Sequence, residues 1–257
     1  MQVMINNRMV EEKEAMVNIF SDAVMYGAGV FETMRTTINR KIFGLENHLE
    51  RLFSSAEKIE LSLRYSREEV GQMVKTIVAA SNHDLQRLKI VVTPDDCIVI
   101  SSKLEPDSST LNGVKVMSVV QQRSLPSVKS LSYLECYLSY QKARKNGYFE
   151  AILTNEAGNV YEGSRSNLFW FIDGILYTRK GDVLPGITRK TILEISPFPV
   201  EYNTITLDEL KKADEVFQTG SISGIVPIIQ IDKTIIGEST PGARTKELMR
   251  IYEKLLR

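Results

Sequence analysis

Apolar and polar positions alternate along this chain with two periods. Leu45, Leu49, Leu52, Phe53, Ala56 and Ile59 recur at helical spacing and predict a helix over 45–59, with His48 and Arg51 off that stripe or at its edge. Ser66-Arg67-Glu68-Glu69 is a capping box that opens a second helix, facing inward through Val70, Met73, Ile77 and Val78. Shorter extended runs surround these helices. Residues 3–5 and 9–10 flank Asn6-Asn7 as a small hairpin, and 33–42 reads as two strands about Asn39-Arg40. Strands at 88–92 and 97–101 are joined by a turn at Pro94-Asp95-Asp96. These elements predict a helix-on-sheet layer with its own core.

The polar stretch 104–112, carrying Pro106-Asp107-Ser108-Ser109-Thr110, reads as a linker. It divides the chain into a small domain, 1–112, and a larger one, 113–257. The second half opens with a strand at 114–120. A helix over 131–146 follows, expected to bury Leu131, Leu134, Tyr137 and Leu138 and to end at Asn146-Gly147. Strands at 150–154 and 160–163 come next, then a hairpin of 167–172 and 175–178 about Asp173-Gly174, the strongest short turn signal in the chain. A helix at 188–195, a short capped helix beginning after Thr206, strands at 215–219 and 226–231, and a C-terminal amphipathic helix through Leu248, Ile251, Tyr252 and Leu255 complete it. The expected class is α/β (α+β) in two domains.

Composition narrows the chemistry. The 257 residues are 43% hydrophobic, enough for a sizeable core. Thirty-two basic residues balance thirty-two acidic ones with no long run of either sign, which points away from a nucleic-acid or membrane-surface partner. No secretion signal and no membrane-spanning run is visible, and Cys97 and Cys136 read as reduced packing thiols of a cytoplasmic protein. His48 and His83 are the only histidines, so a multi-histidine metal site is excluded. No Gly-x-Ser-x-Gly elbow is present either. Met25-Tyr26-Gly27-Ala28-Gly29-Val30-Phe31-Glu32 starts like a dinucleotide fingerprint, but Glu32 replaces the third glycine. Its glycines then serve close backbone approach, to a ligand or to another strand.

What remains is a lysine, a carboxylate and two small-residue loops. Lys129 precedes the 131–146 helix, and Glu162 ends a strand beside Ser164, Ser166 and Asn167. Leu184-Pro185-Gly186-Ile187-Thr188 opens a helix whose free amides make an anion site. Gly220-Ser221-Ile222-Ser223-Gly224 follows a strand and offers further amides and hydroxyls, and Arg51 adds a cation. Together these suit pyridoxal 5'-phosphate: a lysine for its aldehyde, a carboxylate to keep its ring nitrogen protonated, and cradles for its phosphate.

The ordered motifs Phe31-Glu32-Thr33-Met34-Arg35, His48-Leu49-Glu50-Arg51-Leu52, Lys129-Ser130-Leu131, Glu162-Gly163-Ser164-Arg165-Ser166-Asn167, Leu184-Pro185-Gly186-Ile187-Thr188-Arg189 and Thr219-Gly220-Ser221 resemble the fold-type IV pyridoxal-phosphate family. Branched-chain aminotransferases, D-amino-acid aminotransferases and aminodeoxychorismate lyases make up that family. The resemblance implies a small α/β domain and a larger one with the cofactor between them, in a homodimer. It makes Lys129 the Schiff-base lysine and proton shuttle, and Glu162 the partner of the pyridinium nitrogen. Arg51, the amides of Ile187 and Thr188 after Gly186, and Gly220-Ser221 would hold the phosphate, with Leu184 against the ring and Tyr133 near its hydroxyl. Tyr26, Phe31, Lys89, Ser221 and Ile222 would face the substrate.

Within the family, Leu88-Lys89-Ile90 carries lysine where branched-chain enzymes have arginine, and the arginine-histidine pair of D-amino-acid enzymes is missing. Tyr26-Gly27 and Thr219-Gly220-Ser221 lean towards branched-chain aminotransferases, whereas Lys89 and Lys129-Ser130-Leu131-Ser132-Tyr133 are lyase-like. The expected activity is amino-group transfer between an L-amino acid of branched-chain type and a 2-keto acid. The alternative is 4-amino-4-deoxychorismate lyase, releasing pyruvate and 4-aminobenzoate, and a D-amino-acid aminotransferase ranks below both.

Overall fold

The structure is a computed structural model describing residues 1–257. The chain packs into two compact units: Met1–Glu105 with Val128–Tyr133 and Leu256–Arg257, and Pro106–Ser127 with Leu134–Leu255.

The first unit contains β1 (Gln2–Ile5), β2 (Arg8–Val10), α1 (Asp22–Tyr26), β3 (Val30–Arg35), α2 (Leu45–Lys58), α3 (Arg67–Ala80), β4 (Gln86–Val92) and β5 (Cys97–Lys103). Its strands form one antiparallel sheet in the order β2-β1-β5-β4-β3. Asn6 and Asn7 take positive φ of 49° and 62° in the β1–β2 turn, the conformation a two-residue hairpin needs. The α3 capping box forms as expected. Leu49, Leu52 and Ala56 of α2 and Val70, Met73 and Ile77 of α3 bury against Met34, Leu88, Ile90 and Val99 of the sheet. The second strand expected before residue 42 reduces to one bridge, Thr36 to Ile42, because Arg40 turns the chain with φ of 61°.

The second unit contains β6 (Val114–Val120), α4 (Leu134–Lys145), β7 (Glu150–Thr154), β8 (Val160–Gly163), β9 (Asn167–Ile172), β10 (Ile175–Thr178), α5 (Ile187–Ile195), β11 (Val200–Tyr202), α6 (Leu207–Leu210), β12 (Glu215–Gly220), β13 (Gly224–Ile231), β14 (Thr234–Ile235) and α7 (Ala243–Lys254). Its nine strands run β11-β10-β9-β12-β13-β6-β7-β8, with β14 paired to β13. The β9–β10 hairpin closes on Asp173 and Gly174, with Ile172 paired to Ile175. The α7 N-terminus lacks a capping side chain of its own. Glu215 of β12 supplies the cap, accepting from the Arg244 and Thr245 amides at 3.1 and 2.8 Å and from Thr245 Oγ1 at 2.6 Å.

Two sequence expectations change. Packing divides the chain after Glu105, within the 104–112 stretch read as a linker, with a 3₁₀ turn at Ser108–Asn112, but it places Val128–Tyr133 in the first unit. The cause is a strand-like bridge: Val30 pairs with Ser130, Phe31 N–H donates to Lys129 O (2.9 Å), and Leu131 N–H donates to Gly29 O (2.9 Å). Gly29 permits this approach, since a Cβ there would lie 2.8 Å from Val92 O. Because Ser130 and Leu131 are spent on that bridge, α4 starts only at Leu134. It buries Cys136, Ser139 and Ala143, leaving Leu134, Tyr137 and Leu138 exposed. Small side chains on the inner face let α4 sit close to β6 and β7. At the C-terminus Leu248 and Tyr252 are buried, while Leu255 is exposed.

Candidate active site

In the first unit, strand alternation divides the chemistry between the two faces of β3. Phe31 points to one face and gathers three predicted site residues. Lys129 Nζ lies 4.5 Å and Lys89 Nζ 5.3 Å from its ring centroid, and the Tyr133 ring meets it edge-on at 5.6 Å. Lys89 pairs with Thr33 across β3–β4, which puts it diagonal to Phe31 on the same face. Its pKa is lowered, first by burial and then by the Arg87 charge. Lys129 is fixed through its backbone: its carbonyl accepts from Phe31, and its N–H donates to Ser55 Oγ at 3.3 Å. Tyr26 stands on α1 with three quarters of its surface exposed.

Glu32 faces the other way, toward α2, and is fully buried. Arg51 grips it through Nε (2.7 Å) and Nη2 (2.8 Å), and His48 Nδ1 lies 2.7 Å from its Oε2. His48 and Arg51 are therefore interior groups, one helical turn apart on the same side of α2, rather than residues at the margin of its apolar stripe. Burial by itself pushes the Glu32 carboxyl up. The Arg51 charge and hydrogen bond, with the His48 hydrogen bond, outweigh it and hold the pKa at about 2. Burial pushes His48 down, against the pull of Glu32, so the ring is neutral and donates its Nδ1–H to the carboxylate. Glu32 thus sets the orientation of the Arg51 guanidinium.

In the second unit, the centre is Glu162 near the end of β8, about one twentieth exposed. Oε1 accepts from Arg123 Nη1 at 2.9 Å; Oε2 accepts from Leu184 N at 3.0 Å and Asn167 Nδ2 at 3.1 Å. Asn167 also donates to Leu184 O at 2.8 Å, and a Cβ on Gly186 would overlap its amide oxygen. One amide side chain therefore ties Glu162, Leu184 and Gly186 together. Gly186 is the extended N-cap of α5, so the Ile187 and Thr188 amides belong to the unsatisfied first turn. Across the sheet Asn167 pairs with Thr219, which brings the turn carrying Gly220, Ser221 and Ile222 beside the same strand ends. Thr219 Oγ1 is buried in that turn's approach without a hydrogen-bond partner.

A second buried carboxylate lies nearby. Glu150 accepts from the Ala151 amide at 3.0 Å and from Ser164 Oγ, with Arg165 Nε 3.7 Å away. Burial, partly opposed by Arg165, raises its pKa. Ser164 accordingly serves Glu150, while Glu162 takes its donors from Arg123, Leu184 and Asn167.

These donor sets fit pyridoxal phosphate. Its ring nitrogen calls for an anion, which Glu162 supplies; its phosphate calls for helix amides and hydroxyls, which α5 and the 220–224 turn supply; its aldehyde calls for an amine. The unpartnered Thr219 hydroxyl is a further polar group awaiting a ligand atom. No cluster of metal-ligating side chains occurs, and no helix is long and apolar enough to cross a membrane.

The sequence assigned no role to Glu32, His48, Asn167 or Arg123. Glu32 was detectable as a charge at an inward strand position between Val30 and Met34. Asn167 stood inside a quoted motif. Arg123, in a polar loop, gave no local signal.

Residues 29–231 match the model of the amino-transferase class IV family. A Methanocaldococcus jannaschii protein assigned to the branched-chain-amino-acid aminotransferases is 30% identical, over 99% of this chain and 96% of its own length. The D-alanine aminotransferase of Listeria monocytogenes is also 30% identical, over 98% and 95%. Among solved structures, the T.th. branched-chain amino acid aminotransferase complexed with N-(5'-phosphopyridoxyl)-L-glutamate superposes with a TM-score of 0.92, covering 99% of this chain and 93% of its own at 26% identity.

Proposed function

This chain belongs to the class IV aminotransferase family and is a pyridoxal-phosphate-dependent aminotransferase, and from that premise we propose that it moves an amino group from a branched-chain L-amino acid to a 2-keto acid. The observation that carries the substrate side is the Phe31 cluster, where an apolar ring is flanked by the amines of Lys129 and Lys89. A branched side chain finds apolar surface on Phe31, and the half-buried cation of Lys89 suits the second carboxylate of a dicarboxylic keto acid. Similarity to branched-chain aminotransferases supports the same reading.

The roles proposed for this chain's residues follow. Bound pyridoxal phosphate supplies the electron sink that makes the substrate Cα–H acidic. Lys129 Nζ would hold the cofactor through its aldehyde and would carry the proton removed from the substrate Cα. Glu162 holds a proton on the ring nitrogen. Arg51, the Ile187 and Thr188 amides and Ser221 would hold the phosphate, with Leu184 toward the ring and Tyr133 toward its hydroxyl. The amides near Ser221 and Ile222 orient the substrate carboxylate, and Tyr26 completes the apolar side.

The test is a half-reaction. The purified protein is titrated with single amino acids in the absence of a keto acid while its visible absorbance is followed. L-Leucine is expected to bleach the visible band and convert the cofactor to its amine form. Conversion by D-alanine alone would replace this reading with a D-amino-acid enzyme. Indifference to both, with pyruvate released from aminodeoxychorismate, would make it a lyase.

The proposed enzyme works in the cytoplasm as a homodimer, without nucleic-acid or membrane partners. The dimer is supported by a run of exposed apolar residues, Met16, Val17, Ile19, Phe20, Val24, Met25 and Tyr26, which a second copy of the chain would cover. Phe20→Glu is expected to shift the protein to monomer in sedimentation velocity. An undiminished dimer in that variant would remove the 16–26 segment from the interface.

A further inference from the structure

We propose that Arg123 is a positioning residue that sets the charge on the cofactor ring through Glu162. The proposal rests on the reading of Glu162 as the ring-nitrogen partner. Arg123 Nη1 donates both to Glu162 Oε1 (2.9 Å) and to Pro126 O (3.0 Å), and its side chain is about one eighth exposed. The Pro126 contact folds the loop back on itself and aims the guanidinium at the carboxylate. Oε2 is already taken by the Leu184 amide and the Asn167 side chain. Oε1 is the oxygen that carries the Arg123 cation.

Two consequences follow from that placement. A cation at hydrogen-bond distance keeps Glu162 ionised over the working pH range. It also offsets part of the carboxylate's negative charge, which moderates the pull of Glu162 on the ring-nitrogen proton and holds the cofactor's proton affinity down. Without Arg123, Glu162 would still feel the Arg189 charge but would lack its hydrogen-bonded cation, and it would be a stronger base and leave the pocket more negative. Arginine is the residue for this place because its planar fork reaches the carboxylate and the Pro126 carbonyl from one nitrogen while remaining charged at every accessible pH.

The experiment compares Arg123→Gln, Arg123→Lys and Glu162→Gln as holoenzymes by pH titration of the visible band of the bound cofactor, with cofactor release by dilution fluorescence and thermal melts as companions. Removing a positive charge near the cofactor favours its protonated form. Arg123→Gln is therefore expected to raise the titration midpoint by about one pH unit, while Arg123→Lys restores most of it. A kcat reduced at unchanged KM should accompany the shift. If Arg123→Gln and Arg123→Lys melt earlier by equal amounts but titrate as the unaltered protein does, Arg123 is only a loop brace and the proposal fails. If Glu162→Gln also leaves the titration unmoved, the failure lies instead in the assignment of Glu162 to the ring nitrogen.

Discussion

Replacing Lys129 with alanine is expected to lower turnover by about 10⁴-fold while leaving stability within about 0.5 kcal/mol. The two halves of this expectation come from different atoms of the residue. Its backbone is structural: the carbonyl accepts from Phe31 and the N–H donates to Ser55, and alanine keeps both. Its side chain reaches the Phe31 ring and carries the only amine the proposed mechanism uses at the aldehyde carbon. Alanine therefore removes the proton carrier without removing the bridge to β3. Stopped-flow absorbance with L-leucine measures the loss, and a urea melt measures the stability. Near-normal turnover in Lys129→Ala would end the lysine mechanism altogether.

In the cofactor-free protein, Glu32→Gln is expected to destabilise the first unit by about 3–5 kcal/mol, because it removes the carboxylate that the buried Arg51 and His48 pair with. The native group also dictates an acid limb. The Glu32 carboxyl is depressed to about 2 in the folded chain, so its contribution is complete above the unfolded value near 4.5 and is lost as pH falls toward 2. His48 adds to the same limb from higher pH. Its folded pKa lies below the usual 6.5, so the unfolded chain takes up the proton first and stability declines as pH drops below that value. Urea melts from pH 8 to pH 3 should show stability falling in two stages. In Glu32→Gln the stage below about 4.5 should flatten. A variant within about 1 kcal/mol of the unaltered protein would mean that Arg51 finds another anion. Because Glu32 sets the Arg51 geometry, weakened cofactor retention should accompany the loss of stability.

Elements were legible where a local signal agreed with the packing. The α2 stripe, the α3 capping box, the Asn6-Asn7 and Asp173-Gly174 turns and the β6 strand all form where sequence placed them, since each encodes its own geometry. The face of α4 was read wrongly because two patterns competed. Leu134, Tyr137 and Leu138 gave a strong apolar stripe, yet the sheet accepts the small face of Cys136, Ser139 and Ala143. Hydrophobic periodicity cannot rank a smooth close-packing face against a bulky one reserved for another contact. The candidate residues were named by type and order, and Phe31, Lys89, Tyr133 and Lys129 lie together in the first unit as Glu162, Leu184 and Gly186 do in the second. Its supporting groups were not. Glu32 with Arg51, and Arg123 with Glu162, are pairs separated by 19 and 39 residues, and no local pattern links them.

The return of Val128–Tyr133 to the first unit has a bearing on how the chain is made. Val128 lies in that unit's core, and the Leu256 carbonyl accepts from the Ile38 amide. A nascent chain halted at Glu105 therefore holds the five-stranded sheet and both covering helices but lacks a core side chain and the strand-like partner of β3. Emergence from the ribosome does not complete the first unit when its last strand appears. It closes only after the segment bearing Lys129 arrives, and the hydrogen bond from Ile38 waits until residue 256 has emerged. The proposed aldehyde-binding lysine and the closing of the N-terminal unit are in this way carried by the same short segment.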